Sequence, residues 1–315
     1  DKQLTVYFLE GHGERSIEDS GENGLSALKQ QLERDNYVVK SVNLVREGKL
    51  PADAELIVVA GPRRVVPEPE RKVLEAHLAK EGKLLVLLDL DTSAGLEPLL
   101  TAWGVTPLTG MVVDPRSYYY FGGPFVPIPA YKYHKITTDL QKQNVGSVFP
   151  GTRALAAGKI EGATVDALLE TTAESWLESN AKGGPPKRDA GEKRGPLAIG
   201  IAVSMMPKPV PPDPKAETPP EPPRPQPKLV AFAAVDFLAN KIRSVSDGNF
   251  DLFGNAVNWL AGSELTISIR PKEQDQRRLS LDNVKANLMG YTTIVFTPLA
   301  VILLGVFQWW RRRKL

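Results

Sequence analysis

Two short runs, Leu56–Ala60 (LIVVA) and Leu84–Leu88 (LLVLL), limit what this chain can fold into more than any other feature. Each is apolar at every position, so neither face of the strand it forms can be turned to water. Between them Pro67 opens a segment in which Val73, Leu74, His77 and Leu78 recur at helical spacing, and Gly82 closes it. A third apolar run, 4–9, precedes a helical stretch with Leu25, Leu28 and Leu32 on one face, and then an extended Tyr37–Leu44. Buried-type strands alternating with amphipathic helices predict an α/β fold on a mostly parallel sheet, with helices on both faces.

The pattern continues along the chain. Residues 96–103 read as a helix, and Val112-Val113-Asp114, Thr164–Leu169, Leu197–Val203 and Leu229–Val235 as strands. Asn249–Leu260 carries a broad apolar face at helical spacing. Leu265, Ile267 and Ile269 alternate with Thr266, Ser268 and Arg270, a half-exposed strand. Tyr118, Tyr119, Tyr120 and Phe121, followed by Pro124, Pro127 and Pro129, predict an ordered irregular loop that is either a contact surface or packed on its own domain. The polar stretch Ser179–Gly195 is expected to be mobile. Half of residues 207–228 are proline, which rules out both helix and sheet pairing and predicts an extended, solvated segment. It is either an interdomain linker or a surface excursion from one sheet. The same α/β pattern resumes after it, which favours the excursion, and a weak docking role for polyproline motifs stays open.

At the end of the chain, Tyr291–Trp310 holds no charge, and about 20 helical residues span the ~30 Å hydrocarbon core. Pro298 is tolerable within such a span. Tyr291 stands at one interface and Trp309 and Trp310 at the other, and Arg311, Arg312, Arg313 and Lys314 stop transfer and favour a cytoplasmic C-terminus. The domains expected are therefore an extracytoplasmic α/β domain over 1–270, a juxtamembrane segment over 271–290, a transmembrane helix over 291–310 and a basic tail over 311–315. The first residue is Asp1, so a signal sequence or a further helix upstream stays open.

The chemistry available is narrow. With no cysteine in the chain, disulfides, thiol catalysis and thiolate metal sites are excluded. The formal net charge of +2, without a basic stripe interleaved with aromatics, points away from nucleic acid. Gly11-His12-Gly13-Glu14 is the sharpest motif: it follows the first strand, at the edge where open α/β sheets bind ligands. It matches no phosphate-binding loop, and one His with one Glu makes an incomplete metal site. Asp89 and Asp91 end a strand at the same predicted edge, and Asp236 follows another buried strand. These seven residues are the candidate ligand-binding set; the plainer reading makes them a structural turn, caps and loop ligands. No G-x-S-x-G elbow occurs, so no catalytic residue, metal or cofactor is assigned.

The order of these motifs resembles the GldG family. The resemblance is carried by the Gly-His-Gly-Glu turn, by Asp89 after LLVLL, and by Trp103-Gly104-Val105 leading to Val113-Asp114. Phe149-Pro150 with Arg153, Leu168–Trp176, Gly195-Pro196-Leu197, and Asp236-Phe237-Leu238 leading to Gly248-Asn249 and Asn255–Leu260 continue it. That family comprises auxiliary membrane subunits of ABC-type transport systems, named for gliding motility. The resemblance implies a Rossmann-like or flavodoxin-like domain related to the GIFT fold of intraflagellar transport proteins. It also implies a location at the bacterial inner membrane, with ABC permease and ATPase partners on separate chains. The expected function is a non-enzymatic auxiliary subunit whose domain binds a protein partner or ligand outside the cytoplasm. The alternatives are a structural component of an envelope or motility assembly, and a hydrolase using His12, Glu14 and Asp89.

Overall fold

The structure, a computed structural model, describes residues 3–180, 186–207, 224–262, 291–292 and 297–313. Two compact units divide the chain, Asp1–Thr266 and Ile267–Leu315. The strand expected over 265–270, the juxtamembrane segment 271–290, Lys314 and most of the proline-rich region lie outside the described residues.

In the first unit the expected alternation is present. Strand β1 (Thr5–Glu10), helix α1 (Ser26–Arg34), β2 (Val38–Asn43), the short α2 (Leu44–Glu47), β3 (Leu56–Ala60), α3 (Glu68–Ala79) and β4 (Lys83–Leu87) follow in order. Every residue of β3 is buried, as its uninterrupted apolar run requires. Pro67 caps α3, where its missing N–H costs nothing, and Leu74 and Leu78 bury one stripe of that helix. Strands β2, β1, β3 and β4 are parallel neighbours in that order, and β12 (Gln226–Phe232) joins in parallel on the far side of β4.

Beyond β12 the sheet changes direction. Between β4 and β12 the chain lays down α4 (Glu97–Ala102), β5 (Val105–Leu108), β6 (Met111–Val113), β7 (Ala130–Tyr131) and α5 (Thr138–Lys142). Then come β8 (Ala154–Ala157), β9 (Ala163–Glu170), β10 (Trp176–Glu178) and β11 (Ala198–Met205). Strand β11 pairs antiparallel with β12, β8 and β9, and β5 and β7 complete a ten-stranded sheet. Strands β6 and β10 form a separate two-stranded sheet. The parallel half thus carries an antiparallel extension that apolar runs alone did not indicate. Strands β11 and β12 flank the proline-rich region, and Met205 pairs with Gln226. That region therefore connects two neighbouring strands of one sheet.

Helix α6 (Asp247–Leu260) packs against β12, β4 and α1, burying Phe250, Leu252, Phe253, Ala256, Val257 and Leu260. Asn249 in its first turn is fully buried. Its Oδ1 accepts from Val148 N at 2.7 Å, and its Nδ2 donates to Val148 O at 2.8 Å and Phe237 O at 2.7 Å. Both ends of one side-chain amide thus tie α6 to two loops, which gives the Gly248-Asn249 and Asp236-Phe237 pairs a shared structural role. Phe237 stacks on Phe149 at 4.6 Å in the same core.

The second unit contains α7 (Thr297–Arg312), 16 residues long. Among the described residues no helix is long and apolar enough to cross a membrane. The span expected over Tyr291–Trp310 is therefore not found as such: residues 293–296 lie outside the described residues. Pro298 lies in the first turn of α7, Arg311 and Arg312 in its last, and Arg313 Cζ sits 4.6 Å over the Trp309 ring.

Candidate functional site

Parallel strands deliver their carboxyl ends to one edge. Here the turn 11–15 leaves β1, 61–64 leaves β3, 88–91 leaves β4 and 233–236 leaves β12. The chain runs from β1 outward to β2 and then crosses to β3 on the other side, so the loops after β1 and β3 diverge at a topological switch point.

The first turn is built for close approach. Gly11 and Gly13 have φ of +127° and +77°, which an L side chain rarely adopts. Between them His12 is turned inward and is only 4% exposed. Its backbone N–H donates to Glu14 Oε2 at 2.7 Å, and its Nδ1 lies 3.4 Å from Glu14 Oε1. Its Nε2 lies 3.2 Å from Glu70 Oε2, on α3. Two carboxylates thus flank the ring on opposite sides. The carbonyl of His12 accepts from Arg63 N at 2.9 Å and Arg64 N at 2.8 Å, which fastens the β3 loop to the β1 turn.

The remaining charges are largely paired. Arg15 Nη2 meets Asp236 Oδ1 at 2.5 Å, joining loops far apart in sequence. Arg63 Nε meets Asp89 Oδ2 at 3.1 Å, and Asp89 Oδ1 accepts from Asp91 N at 3.1 Å. Arg64 Nη2 donates to Gly11 O at 2.9 Å. Behind them the buried Arg153 donates to Ser93 Oγ at 2.7 Å and Leu108 O at 2.9 Å. Burial holds that guanidinium below its usual range, while Glu97 and Asp89 oppose the shift.

Of the residues singled out in the sequence, His12 and Glu14 meet, while Asp89 and Asp236 are each drawn to a different arginine. Asp91 lies beside Asp89 and is exposed. His12, Glu14 and Asp89 do not form one catalytic set: both oxygens of Asp89 are engaged elsewhere, and both ring nitrogens of His12 face carboxylates. Nor do Glu14 and Glu70 share a point where an ion would sit, since they approach opposite edges of the ring. Among the described residues, three potential ligands converge only at Glu178, Asp189 and Glu192, far along the chain. There Trp176 Nε1, the backbone N–H groups of Asn180, Ser179 and Asp189, and the Ser179 hydroxyl already occupy the carboxylates of Glu178 and Glu192. Residues 179–180 and 186–195 of the polar stretch are thus partly tied to each other.

Sequence reading missed Arg15, Arg63, Arg64 and Glu70. Arg63-Arg64 directly follow the Gly61-Pro62 turn at the end of a buried strand, the same signal that selected Gly11–Glu14. Glu70 had no such signal, because only the packing of α3 brings its carboxylate to His12. A cavity of about 270 Å³ opens at the opposite edge of the sheet, beside Glu55, His77 and Gly82.

The sequence model of a family described as "ABC-type uncharacterized transport system" matches residues 3–263. No curated protein matches. Among solved structures, the N-terminal domain of mmIFT52 aligns with a TM-score of 0.56 at 16% identity, covering 83% of this chain and 99% of that one. That likeness is one of fold, and it agrees with the fold relationship implied by the sequence resemblance. A putative GMP synthase component from Thermoplasma acidophilum aligns with a TM-score of 0.42 at 10% identity, covering 83% of this chain and 96% of that one.

Proposed function

This chain belongs to the ABC-type uncharacterized transport system family, and from that premise we propose that it is a non-enzymatic, membrane-anchored auxiliary subunit of an ABC-type transporter. Its α/β unit binds a partner or ligand outside the cytoplasm, and ATP hydrolysis belongs to a separate chain. The family match across the whole α/β unit carries this reading. The switch-point edge supports a binding role, because ion pairs there join the loops after β1, β3, β4 and β12 at the edge where open α/β sheets take ligands. Helix α7 supports the anchor. Ile302, Leu303 and Leu304, consecutive and so pointing in different directions, are all exposed, as are Val306, Phe307, Trp309 and Trp310. An apolar surface on every side of a helix suits a lipid or helix-packed environment, and the Arg311–Arg313 end suits the cytoplasmic face. The narrower kinship with the GldG family, and with it a role in gliding motility, belongs to the same proposal.

The test is native purification from membranes in mild detergent. A permease and an ATPase chain should co-purify in fixed ratio; a chain recovered alone and monomeric would refute the assembly. Deleting residues 291–315 should move the protein from the carbonate-resistant membrane fraction to the supernatant, and continued resistance would count against the anchor.

A further inference from the structure

We infer that the hairpin over residues 117–128 is a membrane contact of the α/β unit, its apex at Tyr120–Gly123 entering the headgroup region of a lipid surface. The hairpin is closed by Tyr119 N–H donating to Val126 O at 2.8 Å, Ile128 N–H to Ser117 O at 3.0 Å and the Ser117 hydroxyl to Ile128 O at 2.6 Å. Phe149 N–H and Gly151 N–H donate to the carbonyls of Pro127 and Phe125, so the returning arm is fastened to the domain. The apex stands clear of it. Phe121 is 85% exposed, Tyr120 is exposed too, and a Cβ on Gly123 would meet no atom within 4 Å among the described residues. The rings of Tyr119 and Tyr120 lie 5.8 and 5.4 Å from that of Phe121, so the three support one another outside the core.

The charge pattern selects the occupant. Residues 117–131 hold no charged side chain, and cations bracket them, Arg116 before and Lys132 and Lys135 after. Both brackets are tied to the same end of β9. Arg116 Nε lies 3.9 Å from Glu174 Oε1, Lys132 Nζ lies 3.1 Å from Glu170 Oε2, and Lys132 N–H donates to Leu168 O. The cations are the outer members of these pairs, with 71% and 51% of their side chains exposed against 47% and 29% for the acids. Pairs this exposed are weak in water, so the cations can turn to phosphate. Tyr133, also exposed, stands between Lys132 and Lys135. An uncharged aromatic apex with cations at its base is what a membrane interface takes up: aromatic rings sit at headgroup level, and Lys and Arg near the surface meet anionic lipid. A protein interface carries several hydrogen bonds, whereas the apex offers one polar side-chain group, the Tyr120 hydroxyl.

This inference rests on reading the chain as membrane-anchored. Because the chain has no cysteine, Tyr120→Cys gives a single labelling site, and so does the control Lys80→Cys, exposed at the end of α3. The full chain carrying a polarity-sensitive fluorophore on either thiol is reconstituted into vesicles of phosphatidylethanolamine and phosphatidylglycerol that hold no other protein. The label at position 120 should emit at shorter wavelength than the label at position 80, and nitroxide-bearing lipid should quench it alone. Adding Phe121→Ser to Tyr120→Cys should lower the ratio of inserted to free apex by about tenfold. Circular dichroism of each variant checks the fold. Two labels equally wet in a chain that floats with the vesicles overturn the contact and spare the anchor. A label that is wet in these vesicles but shielded in native membranes overturns it too, and assigns the apex to a protein partner. Carbonate extraction reads the anchor separately: a chain that is extracted although its label is lipid-quenched loses the anchor and keeps the contact.

Discussion

Replacing Gly61 with alanine tests how the carboxyl edge is assembled. Gly61 turns the chain out of β3 with φ +64°, while its N–H donates to Leu87 O at 2.8 Å. An added Cβ would lie 2.6 Å from Val235 Cγ1 and 2.9 Å from Val235 Cβ, on a residue that is 2% exposed. Two costs therefore add: a left-handed conformation at a residue with a Cβ, about 1–2 kcal/mol, and overpacking against a buried neighbour, about 1–3 kcal/mol. Gly162 separates them. Its φ is +72°, but nothing lies within 4 Å of its added Cβ, so Gly162→Ala incurs the first cost alone. Guanidinium unfolding followed by the fluorescence of Trp103, Trp176 and Trp259 should show Gly61→Ala less stable than Gly162→Ala by about 1–3 kcal/mol. The gain from a stiffer unfolded chain is common to both and cancels. Val235→Ala in the Gly61→Ala background removes the nearest methyl, so the double variant should lose less than the sum of the singles. Equal losses in the two glycine variants, or strict additivity with Val235→Ala, would refute the argument.

Other perturbations reach other parts of the fold. Asn249→Ala leaves Val148 N, Val148 O and Phe237 O buried without their partner, so unfolding experiments should show a loss of about 3–5 kcal/mol. Asn249→Asp should rescue little, because an ionised carboxylate keeps only the acceptor. A double-mutant cycle on His12→Gln and Glu70→Gln should give a coupling of about 1–3 kcal/mol; a value near zero would mean that the 3.2 Å approach carries no weight. Burial pushes His77 and His134 below their ordinary value of 6.5, so the unfolded chain takes up their protons first as pH falls. The stability they contribute is present above about pH 6.5 and is lost on acidification below it. Replacing both by glutamine should flatten the stability profile just below about pH 6.5, and an unchanged slope there would exclude these histidines as its source.

What the sequence determined by itself was local. Five apolar residues in a row at Leu56–Ala60 and Leu84–Leu88 leave no polar face, so buried strands were readable there, and so were the helices whose apolar stripes recur between them. The turn at Gly11–Glu14 was legible as a candidate site because glycines after a first strand mark the ligand-binding edge of such sheets. Tertiary structure decided the rest, because it depends on groups distant in the chain. That His12 lies between Glu14 and Glu70, that Arg15 reaches Asp236, and that Arg63 and Arg64 hang from the His12 carbonyl all follow from strand order, which periodicity does not encode. The antiparallel extension through β11 was hidden for the same reason: a strand buried on both faces looks alike whether its neighbour runs with it or against it. At the C-terminus the apolar run Tyr291–Trp310 was legible from composition alone, because hydropathy needs no tertiary contact, and among the described residues it is helical over Thr297–Arg312.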